Sequence, residues 1–255
     1  MYNAVLKCAI RLTGIVVIAM IPVYISTAQT ISDIPKEITN YERSMKEVIN
    51  SSVSVSLENT LNILDGLISR DGDALSLSWI NRLQHFDAIT FEKIKTMLIG
   101  FWVNRDEVIF TEPNPAFFVK LAKDKGTNVD RAFFDNLQKT YPEGVFPVYK
   151  TQYSDFSGCT VFDGETISKI YGMWVKFQKD YPGRYQTRVR GQLKKIEDNI
   201  MSNCICGDDE NAYWNELQNF VKKYPDSPIT KNVSSRAEKT DKNTSYIRFQ
   251  CTGGH

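Results

Sequence analysis

Apolar side chains recur at intervals of three and four along most of this 255-residue chain, the period of a helix with one buried face. Tyr41, Met45 and Val48 keep that period behind Pro35, with Ser32 or Asp33 available as the cap. Leu57, Leu61, Leu64, Leu67 and Ile68 follow, interrupted by Gly66 and closed by Asp71-Gly72. Further amphipathic stretches run from Leu75 to Phe86, from Ile89 to about Val103, from Ala116 to Lys123 and from Val129 to Thr140. The period resumes at Thr166 to Lys179, Tyr185 to Met201, Asn211 to Lys223 and Ile229 to about Thr240. Strand signals are weak: Ser51 to Ser56 alternates Ser and Val but reads better as a linker, and a short extended piece fits Glu107 to Phe110. The pattern predicts an all-α protein.

Three of these segments end in the same way. Phe134, Leu137, Tyr141 and Pro142 are matched by Trp174, Phe177, Tyr181 and Pro182, and again by Leu217, Phe220, Tyr224 and Pro225. Offsets of three and four place the three apolar side chains on one face, and proline stops the helix one residue after the aromatic. The tyrosines stand 40 and 43 residues apart, room for one helix-turn-helix unit per copy. Such a period predicts stacked helical hairpins and speaks for a scaffold more than for an enzyme.

Pro113 and Pro115 punctuate the chain and predict a boundary between a helical N-terminal region, residues 29–112, and a repeat-like C-terminal region, residues 113–255. Within the latter, Glu143 to Phe162 breaks the helical period with Gly144, Pro147, Gly158 and five aromatic residues. A loop of that length is where function often sits.

The stretch from Tyr213 to Pro228, Tyr-Trp-Asn-Glu-Leu-Gln-Asn-Phe-Val-Lys-Lys-Tyr-Pro-Asp-Ser-Pro, resembles the second helix of a tetratricopeptide-type repeat and the turn into the next. Lys176 to Gly183 reads similarly. The closest flavour is the variety in bacterial cell-envelope proteins such as the barrel-assembly lipoprotein. The resemblance covers about residues 166–240 and implies an array of helical hairpins, while saying little of a ligand. Two departures stand out: Gly191 is the only obvious site of close helix approach, and Ser202 to Asp208 lengthens the turn between helices.

At the N-terminus, Lys7 and Arg11 precede an apolar run from Leu12 to Ile25, and Ser26, Thr27 and Ala28 supply the small residues of a cleavage site. The run is shorter than a spanning helix of about 20 residues and is broken by Gly14 and Pro22. A signal peptide over residues 1–28 is the better match, with a retained N-terminal anchor as the competing reading. Its removal leaves 29 basic against 30 acidic residues, a balance with no electrostatic footprint for nucleic acid. No later run is long enough to cross a bilayer, so no stable membrane span is expected after cleavage. The partner expected for such a chain is another protein or an envelope component.

Cys8 leaves with the signal, and Cys159, Cys204, Cys206 and Cys251 remain. An even number in an exported chain predicts two disulfides. If the hairpins alternate in direction, the turns at Pro182 and Pro225 share one end of the helical layer and all four thiols share the other. Cys204 and Cys206 are poorly placed to bridge each other, so Cys159 pairs with one of them and Cys251 with the other. Zinc is the weaker alternative, because Cys159 and Cys251 each stand alone in sequence. A redox-active pair at Cys204 and Cys206 is disfavoured by Asp208, Asp209 and Glu210, which would raise the thiol pKa.

The catalytic inventory is thin. His85 and His255 are the only histidines, and no Gly-x-Ser-x-Gly turn, phosphate-binding glycine loop or histidine-rich metal motif is present. No cofactor or metal is expected. Tyr149, Tyr153 and Phe156 of the aromatic stretch are the candidate contact residues, since aromatic side chains are enriched at binding hot spots. Arg184 and Arg188, with Lys195, fall at helical spacing on one face, either a solvated face or a patch for an acidic partner. The expected function is non-catalytic binding, the alternative an envelope glycan hydrolase using paired carboxylates, Asp155 and Glu165, with Asp163 near them. Non-reducing peptide mapping of exported protein should find an N-terminus at Gln29 and both outer cysteines linked into the Cys204 to Cys206 loop. An intact leader or four free thiols would contradict this.

Overall fold

The computed structural model describes residues 34–65, 67, 82–105, 110–154, 157–202, 205–206 and 210–240. Residues 1–28, the caps expected at Ser32 and Asp33, and most of the stretch from Leu75 to Phe86 lie outside them. Helices follow the periodicity closely: α1 (Lys36–Asn50), α2 (Leu57–Asn62), α3 (Ala88–Met97), α4 (Pro115–Asp124), α5 (Asn128–Thr140), α6 (Thr166–Asp180), α7 (Gln186–Met201), α8 (Glu210–Lys223) and α9 (Thr230–Thr240). Local chemistry sets their starts. Asp87 accepts from the Thr90 amide at 2.9 Å to begin α3, and Asn114 caps α4 with Pro115 in its first turn. Thr127 and Asp130 form a reciprocal capping box at α5, where Asp130 is fully buried.

The all-α expectation is corrected by two sheets. β1 (Phe101–Asn104) pairs antiparallel with β2 (Phe110–Pro113). The helix expected to reach Val103 ends at Met97, because Gly100 takes φ 84°, and a Cβ there would meet the Phe117 ring at 2.4 Å. The second correction falls on the aromatic stretch: β3 (Lys150–Ser154) and β4 (Ser157–Val161) form an antiparallel hairpin, and β5 (Ile205–Cys206) adds to β4 in parallel. Cys159 of β4 is joined to Cys206 of β5 with Cα atoms 5.1 Å apart. Cys204 and Cys251 lie outside the described residues. With Cys206 taken, the pairing expected from sequence leaves Cys204 for Cys251.

The three Tyr-Pro segments do end helices. Tyr141 closes α5 and Tyr181 closes α6 with nearly the same backbone, φ −129° and −130°, and Tyr224 follows the last residue of α8. They are not level with one another. Glu216 and Tyr224, eight residues apart on α8, both bond to Ser168 near the start of α6: Glu216 Oε1 accepts from its amide at 3.0 Å, and Tyr224 Oη donates to its carbonyl at 2.9 Å. α8 therefore crosses the first half of α6. Gly172 permits the crossing, since a Cβ there would lie 2.1 Å from Tyr224 Oη. That close approach falls at Gly172, whereas Gly191 was the sequence candidate.

One cluster of buried side chains runs from Ile38 to Val233. Its centre is aromatic: Tyr41, Phe101, Phe118 and Phe134 follow one another at 4.8 to 5.8 Å, and Phe133 stacks on Tyr185 at 3.9 Å. Polar contacts tie α2 to the start of α7. Glu58 accepts from Arg184 Nε at 2.6 Å and from the Tyr185 amide, while Arg188 donates to the Leu61 carbonyl at 3.0 Å and to Asp65. Glu58→Ala is expected to cost about 1–3 kcal/mol, chiefly because the buried Tyr185 N–H loses its acceptor. The Arg184 pair adds little, its side chain being 40% exposed. Urea unfolding checks this, and an unchanged midpoint contradicts it.

Candidate functional site

The crossing of α8 over α6 leaves a groove of about 610 Å³ between α6, α7 and the α8–α9 turn. That volume falls in the range of ligand sites, roughly 300–1,000 Å³. Tyr171, Val175 and Leu193 give it an apolar floor, Pro225 and Pro228 wall one side, and Arg190, Lys194 and Lys223 stand at its rim with Asp226. The proline wall is braced from within: the Ser227 amide and Thr230 Oγ1 both donate to the Tyr224 carbonyl, at 3.1 and 2.6 Å.

A hydroxyl and carboxyl set lies at the base. Tyr171 Oη is 2.9 Å from Glu197 Oε1 and 3.0 Å from Ser227 Oγ. With a single proton it donates to the carboxylate and accepts from the serine. Burial pushes the Glu197 carboxyl above its ordinary value, with the Tyr171 bond pulling the other way. Burial likewise pushes the Tyr171 phenol up to about 12. The Tyr171 ring meets Phe220 and Tyr224 edge-on at 5.0 and 4.9 Å, which fixes the floor.

A second cavity of about 490 Å³ lies beside the first and shares Lys223 with it. Gly164, Glu165, Ser168 and Lys169 of the α6 start line one side, Asn219 and Lys222 of α8 the other. Here α6 is capped twice. Asp163 accepts from the Glu165 and Thr166 amides at 3.0 and 2.7 Å and from the Thr166 hydroxyl; burial would raise its carboxyl, and the hydroxyl and amide bonds together outweigh it and hold it low. Glu216 caps from α8 through Ser168, and burial raises its carboxyl against the bonds from Ser168.

The residues singled out from sequence are dispersed. Tyr149 is buried just ahead of β3, with its carbonyl accepting from the Val161 amide at 2.9 Å. Tyr153 falls in β3, with its side chain outside the described residues, as are Phe156 and Asp155. Arg184 and Arg188 serve the docking of α2, and Arg188 is 9% exposed, so the expected solvated face is a contact surface within the protein. Glu165 is exposed and paired with Lys169. His85 is exposed at the end of a helical turn. Among the described residues no group of three or more His, Cys, Asp or Glu is placed to hold a metal.

Tyr171, Glu197 and Ser227 were not singled out in the sequence. Tyr171 and Glu197 sit on faces that read as ordinary helix pattern, and the one available signal was the Ser227-Pro228 pair extending the third Tyr-Pro turn. Comparison of the chain with known protein families, with curated proteins and with solved structures returns no match. The site's own chemistry must carry the functional argument.

Glu216 offers a test of the buried framework. Its folded pKa lies above the ordinary 4.5, so its contribution to stability is full below that pH and is lost as pH rises through the raised value. Glu216→Gln stays neutral, so the melting temperature of the variant relative to the parent should climb as pH rises above the ordinary 4.5. A flat or falling difference contradicts the assignment.

Proposed function

We propose that this chain is an exported protein that binds another protein or an envelope component and performs no chemistry on it. The observation that carries the reading is the groove beneath the third Tyr-Pro turn: concave, floored by Tyr171, Val175 and Leu193, and edged by cations. Export is supported by the Cys159–Cys206 bridge, of a kind that persists in oxidising compartments. It is also compatible with the finding that, among the described residues, no helix is long and apolar enough to cross a membrane. The leader-like residues 1–28 point the same way.

A second reading, hydrolysis of an envelope glycan, draws support from one feature of the same groove. Glu197 and Asp226 both line it beside Tyr171 and Tyr224, and a carboxyl raised by burial suits a general acid. This pair differs from Asp155 and Glu165, of which Glu165 is held by Lys169. The oxidised full chain, immobilised and exposed to envelope extract, is expected to retain a defined partner that a Leu193→Asp variant retains less. Release of reducing sugar ends from envelope glycan, lost in Glu197→Gln, would replace the binding reading with the hydrolytic one.

A further inference from the structure

The two cavities adjoin at Lys223, and taken together as one trough they carry an uneven charge. Lys194 is neutralised by Asp198 at 2.5 Å and Lys169 by Glu165. Arg190 and Lys222 make no ion pair among the described residues, and Lys223 lies over the Tyr224 ring at 5.5 Å. Among the carboxyl groups around them, Glu197 is held at the base by Tyr171, Glu216 caps α6, and Glu165 is bonded to Lys169 while its charge also acts on Lys223. Asp226 remains at the rim. Arg190, Lys222 and Lys223 thus outnumber the carboxylates left to face them, Asp226 and a share of Glu165.

The chain's own tail is a poor candidate to cover this trough. α9 starts at its rim and leads away toward the α7–α8 connection, where Arg236 donates to the Ser202 carbonyl at 3.3 Å. The residues that follow Thr240 carry Lys242 and Arg248 against a single acid, Asp241, so they add the wrong charge.

The geometry points to an extended acidic segment of a partner protein as the occupant. One apolar side chain of that segment enters the larger cavity against Val175 and Leu193, and its carboxylates face Arg190, Lys222 and Lys223. The inference rests on the binding reading above and names the partner's recognised element.

The probe is a fluorescein-labelled octapeptide of glutamates with leucine at its centre, and the control replaces glutamate by lysine. Fluorescence anisotropy on the oxidised full chain should show saturable binding of the acidic peptide, weakened by salt, and none of the basic one. Arg190→Glu combined with Lys223→Glu, both exposed positions, should weaken binding by about tenfold or more with an unchanged circular dichroism spectrum. Val175→Asp should weaken it separately. Equal binding by parent and charge-reversed chain overturns the inference, as does binding of phosphatidylglycerol vesicles in place of the peptide. If envelope extract yields the same partner on parent and charge-reversed chains alike, this inference fails while the binding reading stands. If neither retains a partner, the binding reading itself falls.

Discussion

The structure hangs on a carboxylate far from it in sequence. Glu58 sits at the start of α2 and accepts from the main chain of Tyr185, the residue that opens α7. Tyr185 holds a left-handed backbone, φ 49° and ψ 29°, which costs a non-glycine residue about 1 kcal/mol or more. Three contacts over-determine that conformation: Glu58 at its amide, Asp130 accepting from its hydroxyl at 2.6 Å, and Phe133 stacked on its ring. Asp130 is itself half of the α5 capping box. One residue thus locks three segments of chain together, and the direction of α7 follows from it.

The groove is a consequence of how α8 meets α6. Gly172 admits the Tyr224 hydroxyl to the Ser168 carbonyl, and α8 passes across. Glu216 fixes the same crossing by capping α6. A leucine there would avoid the desolvation of a carboxyl but would leave the Ser168 amide without an acceptor. The polar groups inside this interface therefore specify a crossing point that apolar packing alone leaves free to slide.

The helices were legible through their apolar period and, at three ends, through Tyr141, Tyr181 and Tyr224, while Asp87, Asn114 and Thr127 prove to cap three of the starts. The strands were not, for reasons of length and partner. β5 has two residues and exists by pairing with β4, forty-odd residues away, so no window of sequence around Ile205 could announce it. β1 carried aromatic and β-branched residues, but Phe101 also completed a helical face with Ile94 and Leu98, and the break lay in the conformation of Gly100. β3 and β4 read as irregular because Gly158 and Pro147 stood among their aromatics. Of the site, the Tyr-Pro turn was visible and the trough was not, because Tyr171 and Glu197 meet through the packing of α6 on α7, and Ser227 joins them only from the turn after α8.

The two ends of α7 explain why this trough is built to hold its shape. At the start, Glu58 and Asp130 grip Tyr185; beyond its last residue, Cys206 is bridged to Cys159 in the sheet. Arg190, Leu193, Lys194 and Glu197 lie on α7 between the two grips. The facing wall is equally held, since Tyr224 is bonded to Ser168 and the turn folds back on the Tyr224 carbonyl through Ser227 and Thr230. On the proposed binding reading, a segment entering between two walls so braced orders chiefly itself. The entropy that a loose groove would lose on binding has already been spent in folding, so a modest contact area can yield useful affinity.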